Sequence, residues 1–367
     1  MDRYFDGQAC TIQAAVLRKK GGPLRIEALE MEGPRDDEIL VRLVSSGICR
    51  TDIDFCDDWD QVDGAVVLGH EGAGVVERIG KRVRAAKPGD HVVLSYQSCG
   101  NCPPCRSGRP AHCTSFYELN FGFQRLDCSN GLQHSNVRGH FFGQSSFATH
   151  ALATERNVVK VCKDLPLELL APLGCGLQTG AGTVINSLKV SKGRSIAVFG
   201  TGAVGLAAVM ASRIVGADPI ICADIKPKRL KLALKLGATH TIDNRHEDIA
   251  GRITDITGKG VDYVVETTGN PRMHQLASDV LNPRGVAALL AGEKGTDSLP
   301  EGRRTVGIIQ GDAVPQVFIP RLIRLYRAGQ FPFDRLVKFY EFRDINRAIA
   351  DARRGDTIKP VLRISKA

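Results

Sequence analysis

Four cysteines at intervals of three, three and eight residues constrain this chain more than any other feature. They are Cys99, Cys102, Cys105 and Cys113 in the segment CGNCPPCRSGRPAHC. Four thiolates can surround one tetrahedral zinc ion only if the backbone turns tightly around it, and the glycines and prolines of the segment favour such turns. The alternatives are a chance group of thiols and a pair of disulfides. Since a short CxxC series in a reduced compartment is typically a metal site, the spacing predicts a closed structural zinc site.

The compartment and the partners follow from composition. The segment MDRYFDGQAC has no basic-then-apolar signal pattern, and no stretch approaches the roughly 18 apolar residues of a membrane span. We therefore expect a cytoplasmic protein with no membrane partner, whose eleven cysteines are largely reduced. The net charge of +9 is scattered along the chain and aromatic residues make up only 6%. This argues against a nucleic-acid partner and favours a small anionic one.

The length of 367 residues predicts two domains, because single cores stop growing at about 250–300 residues. Short β-rich runs between Gly and Pro turns fill the first third, which indicates a mostly β domain. From about Leu177 strands alternate with helical segments, which is typical of a Rossmann doubly wound parallel sheet. The predicted fold class is α/β, with the β domain over residues 1–176 and 319–367 and the nucleotide domain over 177–318. We expect the active site in a cleft between them.

The segment GTGAVG, with Gly200, Gly202 and Gly205, follows an apolar strand and opens a helix. In that context glycines permit a tight turn and close approach of a pyrophosphate to the helix amino terminus. Asp224 ends the next predicted strand, where its carboxylate would bind both hydroxyls of an adenine ribose. A carboxylate there repels the extra phosphate of NADP, so NAD is the predicted cofactor. The alternative is a glycine-rich turn followed by an unrelated Asp, and nearby basic residues weaken the preference for NAD: Lys226, Lys228 and Arg229.

Three further segments carry metal-ligand side chains. Cys49 lies in GICRTD, His70 and Glu71 lie in GHEGAGVV, and Cys175 lies in GCGLQTGAGTV. Taken singly, each of these residues could be packed in a core. Together with the cysteine series and the dinucleotide motif, they indicate a second metal site.

With this order of motifs, the chain resembles the zinc-dependent medium-chain alcohol dehydrogenases over residues 14–364. The resemblance implies a GroES-like catalytic domain beside the Rossmann domain, and two zinc ions per subunit, one catalytic and one structural. It implies that Cys49, His70 and Cys175 bind the catalytic zinc, with a fourth position for an alcohol oxygen or water. Glu71 would lie behind the metal as an alternative ligand.

The resemblance also assigns roles around the metal and the cofactor. Asp52 would orient the histidine ligand, and Thr51 would hydrogen-bond the substrate oxygen and carry its proton outward. Many relatives have a proton-relaying histidine where this chain has Asp54, so the relay would run through Asp54, a cofactor hydroxyl and water. The side chains expected at the cofactor are Arg50 and Lys359 at the pyrophosphate, Thr179 and Val204 at the nicotinamide ring, and Arg229 near the adenine ribose.

Within this family, the segments HFFGQSSFATHA, PLGCGLQTGAGTVINSLKV, GDAVPQVFIPRLI and FPFDRLVKFY look most like the aryl-alcohol (benzyl alcohol) dehydrogenases. The resemblance implies oxidation of a primary aromatic alcohol to its aldehyde with NAD, by a homodimer or homotetramer. An aromatic substrate needs an apolar pocket near the metal, and Phe141 and Trp59 are the candidates, with core or lid aromatics as the alternative reading. Between Gly292 and Gly307 the chain is several residues shorter than its relatives, where nucleotide sheets of two subunits usually meet.

Two other functions remain open at this point. A glutathione-dependent formaldehyde dehydrogenase or an aliphatic alcohol dehydrogenase would share every zinc and glycine feature, and only the pocket would separate them. A zinc- and NAD(H)-binding redox sensor without turnover is the alternative from another class. The intact set of Cys49, His70, Cys175 and Thr51 argues against a sensor, because a binding module has no need for an open metal position.

Overall fold

A computed structural model describes residues 8–58, 64–133, 136–290 and 299–366. The predicted Trp59 and most of the shortened segment after Gly292 lie outside these residues. Contacts divide the chain into a first unit of Met1–Cys175, Val314–Pro320 and Asp334–Ala367, and a second unit of Gly176–Ala313 and Arg321–Phe333. The division differs from the predicted one chiefly at Arg321–Phe333, which the sequence analysis assigned to the first domain.

The elements are numbered in chain order. The strands are β1 (Cys10–Leu17), β2 (Leu24–Met31), β3 (Glu38–Gly47), β4 (Ala65–Val67), β5 (Gly72–Ile79), β6 (His91–Leu94), β7 (Leu132–Gln133), β8 (Val137–Arg138), β9 (His150–Thr154), β10 (Val158–Val161), β11 (Ile196–Phe199), β12 (Ile220–Asp224), β13 (His240–Asp243), β14 (Val261–Glu266), β15 (Leu281–Leu289), β16 (Arg304–Gly307), β17 (Val337–Glu341) and β18 (Lys359–Arg363). The α-helices are α1 (Arg50–Asp57), α2 (Pro103–Arg106), α3 (Phe116–Phe121), α4 (Leu167–Leu170), α5 (Gly176–Gly182), α6 (Ala203–Val215), α7 (Pro227–Leu236), α8 (Ile249–Thr257), α9 (Pro271–Asp279), α10 (Pro315–Arg327) and α11 (Ile345–Arg354). Among the helices of the described residues, none has both the length and the apolar character needed to cross a membrane.

The first unit contains two sheets, of order β7-β2-β1-β4-β8 and β10-β6-β5-β3-β18-β17, and β9 pairs with β3. Strand β3 lies in the middle of the second sheet, and its apolar side chains belong to a buried cluster with those of β5, β6 and β9. Strands β3 and β5 are antiparallel, and Ser46 pairs with Gly72. The end of β3 therefore lies beside the start of β5. Because Cys49 follows β3 and His70 precedes β5, the sheet brings both residues to the same edge.

The second unit contains one parallel sheet of order β13-β12-β11-β14-β15-β16. Strands β11 and β12 are buried throughout, as expected of parallel strands with apolar sequences such as IAVF and IICAD. The strand order reverses between β11 and β14, and ligands of such sheets bind beyond the carboxyl ends of the strands at this point. The predicted α/β class with a doubly wound parallel sheet is confirmed.

Candidate functional site

Cys49, His70, Glu71 and Cys175 meet at one place in the first unit, where their ligand atoms all lie within 4.8 Å of one another. Cys49 is the residue before α1, His70 and Glu71 lead into β5, and Cys175 immediately precedes α5. His70 and Glu71 are completely buried, and Cys175 is 7% exposed. The structure therefore assembles all four residues that the sequence analysis assigned to a second metal site.

Asp52 connects the segments that carry these groups. Its Oδ1 accepts hydrogen bonds from His70 Nδ1 at 2.9 Å and from the Gly69 amide at 3.1 Å, and its Oδ2 accepts one from the Cys49 amide at 2.9 Å. Because a carboxylate oxygen accepts hydrogen bonds, Nδ1 is the donor to Asp52, and Nε2 is the nitrogen that would bind a metal once it is deprotonated. Nε2 is buried and has no hydrogen-bond partner among the described residues. A buried orphan nitrogen costs about 1–3 kcal/mol, which coordination of a metal ion would offset.

The electrostatics of this cluster favour a cation. Burial opposes a positive charge on His70, but Asp52 and Cys49 outweigh it and raise the pKa of His70 to about 10. The pKa of Cys49 lies well below its ordinary value because the Cys175 thiol donates a hydrogen bond to it, with further help from His70 and Lys359. Two sulfurs and an imidazole, with a carboxylate close by, form a donor set that suits Zn²⁺. These residues therefore fit the predicted zinc ion.

Glu71 forms a buried ion pair with Lys359. The ammonium donates to Glu71 Oε1 at 2.9 Å, to Oε2 at 3.0 Å and to the carbonyl of Ile48 at 3.2 Å. Gly47 leaves room for this pair, since a Cβ there would lie 2.0 Å from Glu71 Oε2. Lys359 is only 2% exposed. The structure thus places the ammonium of Lys359 beside Glu71, and its predicted contact with a cofactor pyrophosphate stays a prediction.

The cysteine series forms a second cluster, and its four sulfurs also lie within 4.8 Å of one another. Cys102 Sγ and Cys113 Sγ are 3.9 Å apart, compared with about 2 Å in a disulfide. All eleven cysteines of the chain are free thiols. Amide hydrogen bonds from Thr114 and Cys105 outweigh burial and lower the pKa of Cys102 to about 6, which favours the thiolate that binds metal. Burial raises the pKa of Cys105 and Cys113, so the fit to the predicted closed zinc site rests on the grouping of the four sulfurs.

In the second unit, GTGAVG forms the turn between β11 and α6. Gly200 has a φ of +88°, and a Cβ on Gly205 would lie 1.9 Å from the carbonyl oxygen of Gly200. Gly202 precedes α6, and a Cβ there would meet nothing within 4 Å. Gly205 therefore packs the turn, whereas Gly202 leaves open space at the helix amino terminus for an anion.

Asp224 ends β12 as predicted, but most of its carboxylate is already bonded within the protein. Its Oδ2 accepts from the amide of Thr201 at 2.6 Å and from its hydroxyl at 2.7 Å, and Oδ1 accepts from the Lys226 amide at 2.8 Å. A carboxylate has about four acceptor positions, so about one remains for a ribose hydroxyl rather than the predicted two contacts. Sequence reasoning missed the bond of Thr201 to Asp224. The available signal was the hydroxyl of Thr201, which stands between the first two glycines of the motif.

The remaining predicted residues occupy different parts of the two units. Thr51 Oγ1 lies 3.9 Å from Cys49 Sγ, so Thr51 borders the metal ligands. Arg50 and Asp54 form an ion pair of 2.6 Å, with 84% and 54% of their side chains exposed. The proton relay predicted for Asp54 and the cofactor contact predicted for Arg50 stay predictions. The same holds for the cofactor contacts predicted for three residues of the second unit, Thr179 in α5, Val204 in α6 and Arg229 in α7.

Aromatic rings surround His70. Phe142 stacks on the imidazole with ring centroids 4.4 Å apart, and Phe141 meets it edge-on at 5.5 Å. Phe141 also packs against Phe55 and Phe123. Sequence reasoning singled out Phe141 but missed Phe142. The stacking of Phe142 on the imidazole depends on its left-handed φ of +53°, which the sequence does not indicate. Trp59, the other predicted pocket residue, lies outside the described residues.

Comparison with known proteins identifies the family. Residues 35–163 match a family model described as an alcohol dehydrogenase GroES-like domain, and residues 203–314 match one described as a zinc-binding dehydrogenase. The chain belongs to the zinc-dependent medium-chain alcohol dehydrogenases. Membership confirms the GroES-like and Rossmann architecture, the activity class, a small-molecule alcohol as partner, and zinc and NAD as cofactors.

Several relatives of this dehydrogenase match along nearly its whole length. It is 46% identical to geraniol dehydrogenase of Castellaniella defragrans, over 95% of this chain and 97% of that protein. An alcohol dehydrogenase zinc-binding domain protein from Burkholderia ambifaria is 49% identical with a TM-score of 0.93, over 98% of this chain and 100% of that one. Benzyl alcohol dehydrogenase from Acinetobacter calcoaceticus is 45% identical with a TM-score of 0.93, over 97% and 100% of the two chains. The relatives thus carry different alcohols in their names.

The two glycines of the turn give a matched pair of predictions. Gly205→Ala should lower the free energy of unfolding by about 1–3 kcal/mol, because its Cβ must displace the Gly200 carbonyl. Gly202→Ala should cost at most about 1 kcal/mol of stability but weaken NAD binding, because its Cβ enters the space left for the pyrophosphate. Thermal unfolding and NAD titration separate the two effects. Wild-type affinity of Gly202→Ala for NAD would contradict the assignment.

The four-cysteine cluster predicts a loss of both metal and stability. Cys105→Ser should release one of the two zinc ions and lower the melting temperature, because a closed zinc site contributes directly to folding free energy. Metal analysis and calorimetry measure the two effects. Cys128→Ser is the control, since Cys128 is exposed and lies outside the cluster. An unchanged melting temperature for Cys105→Ser would rule out a structural role.

Proposed function

We propose that this dehydrogenase oxidises a primary aromatic alcohol of the benzyl type to its aldehyde with NAD as hydride acceptor. The observation that carries the proposal is the combination of a zinc-type ligand set with aromatic rings around His70. Phe141 and Phe142 are 0% and 3% exposed and contact the imidazole directly. His70 therefore lies in an apolar, aromatic environment, which would suit an apolar substrate bound next to it. The relative from Acinetobacter calcoaceticus, named for benzyl alcohol, supports the same substrate class.

In this proposal the chain's own residues divide the work around the reacting alcohol. Cys49, His70 and Cys175 would hold the catalytic zinc, and Asp52 would keep His70 Nε2 directed at it. When bound, zinc supplies Lewis acidity at the alcohol oxygen, and NAD accepts the hydride. Thr51, beside Cys49, would accept a hydrogen bond from the alcohol and receive its proton.

The outward path of the proton would pass along α1. Asp54 lies on the same helix as Thr51, is more than half exposed, and is held by its ion pair with Arg50. An exposed carboxylate can exchange a proton with solvent through water, which a buried one does slowly. We therefore propose Asp54 as the last protein group of the relay, in place of the histidine of many relatives.

The cofactor preference and the assembly belong to the same proposal. Asp224 supports NAD over NADP, because its remaining acceptor position suits a ribose hydroxyl and its charge repels a phosphate. The homodimer or homotetramer that the family resemblance implies stays a prediction, as does the cytoplasmic location expected from the sequence.

Geraniol is the second candidate substrate, because it is the alcohol in the name of the 46% identical relative from Castellaniella defragrans. The glutathione-adduct alternative is less well supported. Such an anionic substrate needs cationic groups near the metal. Among the described residues, the aromatic rings that contact His70 are those of Phe141 and Phe142, and the ammonium of Lys359 is paired with Glu71. A non-catalytic sensor would not need Thr51 beside the metal ligands.

The substrate proposal predicts the order of specificity constants. With NAD, kcat/KM should be at least about tenfold higher for benzyl alcohol than for ethanol, because burial of an aromatic ring contributes more than about 1.4 kcal/mol. NADH absorbance measures turnover of benzyl alcohol, geraniol, ethanol and S-(hydroxymethyl)glutathione, each with NAD and NADP, before and after chelation of zinc. A preference for ethanol would retain the zinc chemistry and discard the aromatic substrate. A preference for the glutathione adduct would likewise retain the zinc chemistry, and it would replace the aromatic alcohol by the adduct as substrate.

The ligand assignment predicts the behaviour of a single cysteine variant. Cys49→Ser should abolish turnover and lose the catalytic zinc while leaving NAD affinity mostly intact, because NAD binds the second unit. Zinc analysis, NAD titration and initial rates measure the three effects. Cys56→Ala is the matched control, since Cys56 is a buried thiol of the adjacent helix α1 outside the cluster. A fully active Cys49→Ser enzyme would remove Cys49 from the ligand set.

A further inference from the structure

Gln144 is a buried amide, 2% exposed, whose three contacts all lie near the candidate catalytic metal site. Its Oε1 accepts a hydrogen bond from the Gly72 amide at 3.0 Å, and its Nε2 donates to the carbonyl oxygens of His70 and Ser95, each at 3.0 Å. His70 and Gly72 flank Glu71 in the chain. The amide of Gln144 therefore holds both ends of the segment that carries two of the four clustered groups.

Ser95 extends this contact to the other ligand segment. Its hydroxyl is buried and donates to the carbonyl oxygen of Gly174 at 2.7 Å, one residue before Cys175. A Cβ on Gly174 would lie 2.1 Å from the Leu94 carbonyl, so the backbone before Cys175 packs directly on the end of β6. His70 and Cys175 are far apart in the chain, and the side chains of Gln144 and Ser95 link the backbone at His70 to the backbone at Gly174.

The turn that carries Gln144 has a fixed and unusual shape. His140, Phe142 and Ser145 have φ values of +63°, +53° and +49°, a region that L-residues rarely adopt. The Ser145 hydroxyl accepts from the Phe141 amide at 2.9 Å and donates to the Val67 carbonyl at 2.6 Å. Left-handed residues persist only where surrounding contacts hold them, so this turn is a rigid support for the Gln144 amide.

We propose that Gln144 and Ser95 form a positioning pair that sets the spacing between His70 and Cys175 for zinc. The inference rests on the ligand assignment made in the proposed function. Zinc tolerates only small errors in ligand distance. Groups that orient ligands without touching the metal typically change metal affinity by about 10–100-fold. Neither side chain belongs to the ligand cluster, so both are positioning residues.

The test measures the metal site rather than activity alone. In Gln144→Met and in Ser95→Ala, a chelator should remove the catalytic zinc about tenfold faster than in the wild type. After substitution of cobalt for zinc, the visible absorption of the site with two sulfurs and one nitrogen should differ between these variants and the wild type. The absorption of the four-sulfur site should be unchanged. In the double variant, the increase in the rate of zinc release should be smaller than the product of the two single increases, because both changes break the same link.

Asn120→Leu provides a matched control. Asn120 is completely buried and has the same pattern of bonds, since its Oδ1 accepts from the Gln97 amide at 2.8 Å and its Nδ2 donates to the carbonyls of Gln97 at 3.0 Å and Phe116 at 2.7 Å. These contacts do not involve residues 70–72 or 174–175. Asn120→Leu should lower the melting temperature without changing catalytic-zinc release. Equal acceleration in Asn120→Leu and Gln144→Met would reduce the effect to general destabilisation and overturn the proposal.

The outcomes separate this inference from the proposed function. If Cys49→Ser loses the catalytic zinc while Ser95→Ala and Gln144→Met release it at the wild-type rate with an unchanged cobalt spectrum, positioning is overturned and the ligand set stands. If Cys49→Ser retains both zinc ions, the ligand assignment itself fails. Should Gln144→Met not fold, the smaller change Ser95→Ala decides by the same two readouts.

Discussion

The buried carboxylate of Asp52 is the interaction on which the rest of the candidate metal site depends. It bonds the amide of Cys49, the amide of Gly69 and the imidazole of His70, and so joins the chain leaving β3 to the chain entering β5. A fully buried charge is tolerated only when donors surround it, and Asp52 has three. The same residue occupies the third position of α1 and completes a capping box with Cys49. One side chain thus starts a helix, holds Nδ1 of the imidazole and directs Nε2 towards the cysteines.

Charge balance explains the second buried pair. Taken alone, a buried ion pair is weak evidence for stability, because desolvation offsets most of the attraction. The pair of Glu71 and Lys359 lies directly beside two thiol ligands, where an unpaired carboxylate would add negative charge to a site that already holds Cys49 and Asp52. Lys359 neutralises Glu71, and the two cysteines as thiolates would neutralise a zinc ion. The pair therefore leaves the carboxylate close to the metal without forcing it to be a ligand.

The sequence allowed prediction of the features that depend on local patterns. The cysteine spacing, GTGAVG and the order of the ligand segments are each short motifs with one chemical purpose, so the two clusters, the parallel sheet and the family followed from them. Gln144 and Ser95 carry no such pattern, because their roles arise from hydrogen bonds between distant segments. Phe142 was missed because its direction depends on a positive φ that sequence does not indicate for a non-glycine residue. The ion pair of Lys359 with Glu71 was missed because the two residues are distant in the chain.

The position of Phe142 links substrate choice to the metal site. Its ring stacks on the imidazole of His70, and the next residues of the turn lead to Gln144, which bonds the backbone on both sides of Glu71. In the proposed function, the segment that shapes the apolar surroundings of the alcohol is therefore also the segment that holds a ligand. A change at this turn would therefore act on His70 through Phe142 and through Gln144 at once, in addition to the hold that Asp52 has on the imidazole.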